Sequence, residues 1–268
     1  MVAANFPGAL VIRLPEILYR AAFMALVATA WAAGAAEGKD PYDSGQWSGM
    51  EEEFLRGQKV AFDERVKVTG PRFAEDAMNV PISLDASALG DVRRVMVLVD
   101  RNPIRKVLEF FPLRTRPTLA FRFKLQQSSP VRVAALGADG IWRVGSTWVE
   151  ATGGGCTAPG ATRASGTWHQ TLGQSQARFF GQGDATRLRL RVMHPMDTGL
   201  VAGIPAFYLE ELALRDEAGT EYLKLQTFEP GEDQNPVFSF DLPAKPVGKL
   251  VLSGRDNNGN RVDAGVSP

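Results

Sequence analysis

The chain has 268 residues, of which 30 are lysine or arginine and 30 are aspartate or glutamate, so its formal net charge is zero. A neutral chain gives no support to nucleic-acid binding or to attachment at an anionic membrane surface. Only two histidines and one cysteine occur, with no cluster of histidine, cysteine and carboxylate residues at metal-ligand spacing. We therefore expect neither a metal nor another cofactor.

The first 36 residues have the pattern of an export signal. Arg13 and Arg20 precede an apolar run from Ala21 to Ala33, and Ala33-Gly34-Ala35 fits the small-residue cleavage pattern. The run is shorter than the ~18 to 20 apolar residues that an uncleaved membrane anchor would need. The sequence thus predicts a signal peptide over residues 1–36 and a mature protein in the periplasm, with no membrane attachment after cleavage.

Residues 37–156 are predicted to form a β-sandwich domain that begins with a short helix. Apolar residues recur at helical spacing between Gln46 and Arg56. From Val80 onward, short runs of alternating apolar and polar residues are separated by turn residues at intervals of about 8 to 12 positions. That spacing is typical of a sandwich of two antiparallel sheets.

A polar, glycine-containing stretch divides the β patterns into two groups. Hydrophobic periodicity is lost between Gly153 and Gly183, and we interpret residues 157–177 as a flexible linker. Alternation then returns, which predicts a second sandwich over residues 178–268. The expected fold is therefore all-β, with two immunoglobulin-like β-sandwich domains joined by a Gly-rich linker.

Three arginines share one face of a predicted strand in the second domain. Arg187, Arg189 and Arg191 alternate with apolar residues, so their side chains point the same way. Such a row is either a patch for an anion or partner, or simply a solvated strand face. Both interpretations remain open at the level of the sequence.

The only cysteine, Cys156, follows three consecutive glycines and precedes Thr157-Ala158-Pro159. Glycine permits most backbone angles and has no side chain to shield a neighbour, so Gly153, Gly154 and Gly155 predict a flexible arm that holds an exposed, mobile thiol. A lone cysteine cannot form an internal disulfide in an oxidising compartment. An accessible thiol can instead carry a sulfur-containing group and transfer it by exchange.

An enzyme is the less favoured interpretation. The best nucleophilic pair would be Cys156 with His169, but both residues lie in the segment least able to hold a base within hydrogen-bond reach of the sulfur. The second histidine, His194, is expected to be structural or to lie at an interface. No residue is therefore assigned a catalytic role, and the chain is expected to be a carrier or binding protein.

Several motifs in the two halves resemble a known two-subunit carrier. The first half resembles the Y subunit of the SoxYZ family, through residues 74–76, 80–82, 95–103 and 149–156. The second half resembles the Z subunit, through residues 194–200, 204–206, 235–240 and 256–259. The fused arrangement is most similar to the SoxYZ-like carriers that are associated with quinoprotein dehydrogenases.

The resemblance implies a periplasmic sulfur carrier. In that family the Y cysteine holds thiosulfate-derived intermediates while partner enzymes oxidise them and release sulfate. Carried onto this chain, it assigns covalent substrate attachment to Cys156 and the arm to the preceding glycines, and it implies that the two domains pair within one chain. The partners would be enzymes of sulfur oxidation, a quinoprotein dehydrogenase, or both. Because the chain continues past Cys156, the thiol would enter a partner as a loop rather than as a free tail.

A different class of function remains open. The chain could be a non-catalytic periplasmic accessory or binding partner of a quinoprotein (PQQ) dehydrogenase, with the thiol used for docking or redox protection. Substitution of Cys156 would abolish a carrier function and could spare an accessory function, so the role of this thiol separates the two.

Overall fold

The computed structural model describes residue 1 and residues 39–164, 166–229 and 234–268. Glu37–Pro268 forms one compact unit. The predicted signal peptide lies outside the described residues, apart from Met1. No helix in the described part of the chain has both the length and the apolar character needed to cross a bilayer.

The described chain is built mainly from β-strands. Two α-helical segments occur, α1 (Trp47–Phe54) and the single turn α2 (Ala161–Ala164), together with short 3-10 turns at Ser87–Leu89 and Trp168–Gln170. The strands are β1 (Val60–Phe62), β2 (Lys67–Thr69), β3 (Phe73–Ala74), β4 (Val80–Asp85), β5 (Val92–Val99), β6 (Lys106–Phe111), β7 (Thr118–Phe123), β8 (Ser129–Gly137), β9 (Trp142–Ala151), β10 (Ser175–Gln182), β11 (Ala185–Val192), β12 (Leu209–Asp216), β13 (Glu221–Thr227), β14 (Val237–Leu242), β15 (Leu250–Asp256) and β16 (Arg261–Val266).

The strands form two sheets, and both sheets contain strands from each half of the chain. The larger sheet has the order β1-β9-β8-β5-β6-β13-β12-β15-β16, with β3 also paired to β9. The six-stranded sheet has the order β10-β11-β14-β7-β4-β2. Antiparallel pairing of β6 with β13 and of β7 with β14 joins the halves. The backbone hydrogen bonds of each sheet therefore continue from the first half into the second.

The main core lies between the two sheets. Alternation places one face of each strand inward, and the resulting cluster joins residues of both halves, such as Phe110 of β6 and Phe240 of β14, whose ring centroids are 5.5 Å apart. Strand β5 is buried on both faces, because Met96 and Leu98 pack outward against helix α1, which contributes the buried Met50. The helix thus covers part of the larger sheet.

The all-β architecture with a short N-terminal helix is confirmed, and α1 lies within the range predicted for it. Strand β10 differs from the sequence interpretation, since it begins inside the stretch assigned to the linker. Its exposed Arg178 and Phe180 alternate with Ala177 and Phe179, which pack against the core. The domain boundaries at residues 156 and 178 stay predictions.

Candidate functional site: a docked cysteine arm

The cysteine arm, residues 152–160, leaves the end of β9 and turns back over the segment that follows β7. Gly153 and Gly154 have φ angles of 101° and 87°, in a region that residues with a side chain rarely adopt. The Gly154 amide donates to the carbonyl of Gln126 at 3.0 Å, and the Gly155 amide donates to that of Leu125 at 3.1 Å. The glycines therefore allow a tight turn whose backbone is hydrogen-bonded in place.

Gly155 lies where a side chain would not fit. A Cβ atom added there would stand 2.0 Å from the Ala77 carbonyl oxygen and 2.7 Å from the Leu125 carbonyl oxygen. Both are backbone atoms, and the Leu125 amide itself donates to Ala77 at 2.8 Å, so neither neighbour can move aside cheaply. The docked position of the arm thus requires glycine at residue 155.

The Cys156 thiol is buried, with a relative exposure of 0%. Its Sγ atom lies 3.6 Å from the Lys124 carbonyl oxygen, to which the thiol donates, and its amide donates to Gln126 Oε1 at 3.2 Å. Burial raises the pKa of the thiol to about 12, while the nearby charge of Lys124 acts in the opposite direction with a smaller effect. Because the thiolate is the nucleophile, the docked thiol is unreactive at neutral pH.

A loop from the second half of the chain, residues 194–200, covers the arm. Thr198 Oγ1 donates to the Cys156 carbonyl oxygen at 2.7 Å, and Thr198 is itself 4% exposed. The buried Lys124 ammonium donates to the Met196 carbonyl oxygen, which ties this loop to the segment beneath the arm. The thiol is therefore enclosed by residues from both halves.

His194 fixes the shape of this covering loop. Its Nδ1 accepts a hydrogen bond from the Met196 amide at 3.1 Å, so the ring proton lies on Nε2, which faces Asp256 Oδ2 at 3.4 Å. Burial lowers the pKa of His194 to about 4, although the Asp256 carboxylate opposes this shift. The imidazole is thus neutral at physiological pH and serves to orient the backbone of Met196, whose φ angle is 52°.

Polar contacts hold the chain on the far side of Cys156. Arg163 Nε donates to Asp197 Oδ2 at 2.5 Å, and its guanidinium lies 5.1 Å from the Trp168 ring centroid. The Thr162 amide and hydroxyl both donate to Gln234 Oε1 at 2.6 Å. The arm is therefore anchored before and after the thiol.

The expectation of an exposed thiol is wrong in this structure. The three glycines provide the backbone freedom that the sequence indicated, but that freedom is used to fold the arm into a crevice beneath the 194–200 loop. Gly153, Gly154 and Gly155 thus form a docked arm. The role of Cys156 in covalent attachment stays a prediction.

The structure does not assemble a Cys–His pair. His169 lies in the 3-10 turn Trp168–Gln170 and is exposed, whereas Cys156 is buried. Within the described residues no hydrogen bond joins the two side chains, and no group of three or more histidine, cysteine or carboxylate side chains could hold a metal. His194 has the structural position expected of it.

Sequence reasoning missed the residues that surround the thiol. Lys124 follows an ordinary alternating strand, and nothing in its local sequence signals a contact with Cys156. Asn102 lies in one of the motifs that resemble the Y subunit, but the motif does not indicate its role beneath the arm, where Asn102 donates to the Lys124 carbonyl at 2.8 Å and accepts from the Gln126 amide at 2.9 Å. Thr198 likewise lies in a motif, residues 194–200, that does not indicate its hydrogen bond to Cys156.

The motifs of the second half that resemble the Z subunit lie close together around the covering loop. The Asn235 amide donates to the His194 carbonyl at 2.7 Å, and the Asn257 side chain donates to the Ala206 carbonyl at 3.0 Å. Asp256 accepts from the amides of the turn that follows it. These motifs therefore build one support for the segment above Cys156.

The first half of the chain matches a known protein family. Residues 51–156 match the family described as Sulfur oxidation protein SoxY. This part of the chain is SoxY-like. The match begins inside α1, at Glu51, and ends at Cys156, so it covers β1 to β9 and the docked glycines.

Among solved structures, a similar chain is the sulfur carrier protein SoxY from Chlorobium limicola f thiosulfatophilum, with 16% sequence identity and a TM-score of 0.36. The similarity covers 40% of this chain and 97% of that chain. No curated protein matches the sequence.

Proposed function

We propose that this chain carries a sulfur compound covalently on Cys156 and presents it to enzymes of sulfur oxidation. The observation that carries the proposal is the SoxY match over residues 51–156, which ends at the only cysteine of the chain. The glycine arm supports it, since a carrier needs an attachment point that can leave the protein surface and return. The carrier itself performs no catalysis and needs no cofactor.

The proposed loading reaction is oxidative. The Cys156 thiol loses its proton, its sulfur bonds to the outer sulfur of thiosulfate, and two electrons pass to an electron-accepting partner protein. The product is a protein S-thiosulfonate, and hydrolysis of its terminal sulfur–sulfur bond by a second partner leaves a persulfide on Cys156 and releases sulfate. Each step needs the sulfur to reach the partner's reacting group.

The docked arm makes release a necessary first step. With its pKa raised to about 12, the buried thiol provides almost no thiolate at neutral pH. Leaving the crevice returns the sulfur to water, where its pKa falls toward the ordinary 9.0. The docked form accordingly protects the thiol, and the released form reacts.

The cellular setting is part of the proposal. The signal pattern of residues 1–36 supports export to the periplasm, where other sulfur-oxidising proteins would be the partners. Both sheets join strands of the two halves, which supports a single chain that provides the functions of a Y-like and a Z-like subunit.

A second candidate is an accessory protein of a quinoprotein dehydrogenase. The observation that favours it is the burial of Cys156, because a thiol that never leaves its crevice could stabilise the fold without carrying anything. In that case the partner would be bound through other surfaces, and Cys156→Ser would leave the function intact.

Tetrathionate tests the carrier proposal without a partner. A thiol attacks it to form an S-thiosulfonate and releases thiosulfate and a proton, so no further oxidant is needed. For the full chain isolated from periplasm, we expect intact-protein mass spectrometry to show one S₂O₃ adduct that maps to Cys156 and is removed by reductant. Cys156→Ser is the control and should gain none.

Material taken directly from cells grown with thiosulfate supplies the second readout. A carrier should bear sulfur, sulfite or thiosulfate groups on a fraction of Cys156, and Cys156→Ser should stop thiosulfate oxidation in cells that depend on the protein. An unmodified thiol together with unchanged oxidation in the Cys156→Ser strain would overturn the carrier proposal in favour of the accessory role.

A further inference from the structure

The outward face of the six-stranded sheet carries a concentration of arginines. Strands β10 and β11 place Arg178, Arg189 and Arg191 on the exposed face, while Leu188 and Leu190 point into the core. Arg178 and Arg189 lie directly opposite each other in the antiparallel register, and Arg191 follows two residues along β11 on the same side. We call the surface around these three residues the arginine face.

The charges on this face are not neutralised within the described residues. Arg187, which the sequence grouped with the other two arginines of β11, binds Asp241 with hydrogen bonds of 2.8 and 2.9 Å. By contrast, no carboxylate in the described ranges pairs with Arg178, Arg189 or Arg191. Like charges directly opposite each other in a sheet are destabilising, so the facing Arg178 and Arg189 lower the free energy of unfolding until an anionic group binds them.

A groove extends from these arginines across the sheet. One cross-strand row consists of Arg178, Arg189, Ser239, Ala120, Ser83 and Thr69, each paired in register with the next. The four residues beyond the arginines are small, and they line a shallow pocket of 430 Å³. A second pocket of 280 Å³ lies between the arginines and the exposed Phe180. Five strand spacings make the row about 24 Å long.

We propose that the arginine face and its groove dock an acidic segment of a partner protein. A row of about 24 Å matches roughly seven residues of extended chain. Arginine binds carboxylates through two parallel hydrogen bonds, and it is enriched at protein–protein interfaces. Phe180 adds an apolar contact at 47% exposure. A small anion would occupy only one end of this surface, whereas an acidic peptide uses its whole length.

Docking at this face does not depend on the proposed role of Cys156. Neither the strands nor the arginines of the arginine face contribute to the crevice that holds the thiol. A variant that lacks the thiol should therefore bind the acidic partner as the wild type does, and a failure of the carrier proposal would leave docking unchanged.

The test uses a fluorescently labelled octaglutamate peptide and the full chain. Fluorescence anisotropy measures the dissociation constant for the wild type and for the triple variant Arg178→Ala, Arg189→Ala, Arg191→Ala. We expect the triple variant to bind about tenfold more weakly, since three exposed ion pairs are lost. Cys156→Ser should bind like the wild type.

A matched triple variant controls for net charge. Arg93→Ala, Arg114→Ala and Arg261→Ala removes three exposed positive charges that lie outside the six-stranded sheet, and it should change the dissociation constant less than twofold. Circular dichroism checks that both triples fold, and Arg178→Ala alone replaces the first triple if it does not.

Two results would overturn the proposal. Equal weakening in both triples would assign the binding to overall charge rather than to this face. Displacement of the peptide by sulfate or thiosulfate, at an ionic strength where chloride does not displace it, would assign the face to a small oxyanion. Loss confined to the arginine-face triple, with chloride and sulfate equivalent at matched ionic strength, would support an acidic protein segment.

Discussion

The cysteine arm and the arginine face differ in how their polar groups are satisfied. In the arm, the amides of Gly154, Gly155 and Cys156 all donate to the segment beneath them, and the Cys156 carbonyl accepts from Thr198. On the arginine face, three guanidinium groups have no carboxylate partner in the described part of the chain. The polar groups of the arm thus find their partners within the molecule, whereas the guanidinium groups of the arginine face can still bind the carboxylates of another molecule.

This difference determines how each region should respond to change. The arm depends on close contacts from two directions, so one added methyl group or one lost hydrogen bond should shift the balance between docked and released forms. The arginine face is a surface without such contacts, so its substitutions should leave the arm unaffected. Labelling of the thiol by iodoacetamide measures this balance directly.

The largest effect should come from Gly155→Ala. The added methyl group would meet two backbone carbonyl oxygens, and overpacking of this kind costs about 1 to 3 kcal/mol. We expect the alkylation rate of Cys156 at pH 8 to rise roughly 5- to 150-fold. The measurement is mass spectrometry of the intact chain over time.

Gly265→Ala is the matched control, because its Cβ position meets nothing within 4 Å and its φ angle is not positive. It should label at the wild-type rate. An unchanged rate in a folded Gly155→Ala protein would mean that docking of the arm does not control the reactivity of Cys156. The arm would then be no more sensitive to substitution than the arginine face.

Alkaline pH should release the arm of the wild type. Because the pKa of the docked thiol is raised from 9.0 to about 12, docking is favoured below pH 9 and becomes weaker as the pH rises from 9 toward 12. The wild-type alkylation rate should therefore keep rising by about tenfold per pH unit above pH 9. The rate for Gly155→Ala should level off near pH 9.

Rates measured between pH 8 and 10.5 at low iodoacetamide concentration distinguish the two profiles, with circular dichroism as a check on the fold. If the two profiles level off at the same pH, the thiol is already in water in both proteins, and burial does not control its reactivity.

A smaller effect is expected for Thr198→Val. The substitution keeps the shape of the side chain but removes the hydrogen bond to the Cys156 carbonyl, whose net contribution is about 1 kcal/mol, and the bond that Thr198 Oγ1 accepts from the Leu200 amide. The labelling rate should rise about fivefold. Thr198→Ser keeps the hydroxyl and should stay near the wild-type rate.

The arginine-face triple variant should not alter the labelling rate of Cys156 at all. A rate change in that variant as large as that of Thr198→Val would show that the two regions are coupled, which their separate contacts do not lead us to expect.

Much of the fold could be predicted because strand alternation is a local property. In β11, Leu188, Leu190 and Val192 mark the buried face within a single short segment. Strand β10 could not be recognised in the same way. Its glycine and glutamine content resembles a loop, and its pairing is specified by the register with β11.

The candidate site could be predicted only in part. The glycines correctly indicated unusual backbone angles, as the positive φ values of Gly153 and Gly154 confirm. The burial of Cys156 depends on Lys124 and Thr198, which lie far away in the sequence and reach the thiol through sheet pairing. Local composition describes what a segment can do, whereas these tertiary contacts decide what it does.

The covering loop also has a consequence for the order of events during folding. A chain synthesised from its N-terminus presents Cys156 well before Thr198 and His194 exist to enclose it. The joining pairs, β7 with β14 and β6 with β13, link residues more than a hundred positions apart, and contacts of such long range form slowly. Each newly made molecule therefore passes through an early period in which its thiol is open to oxidants and other thiols, and that period ends only when the second half has folded.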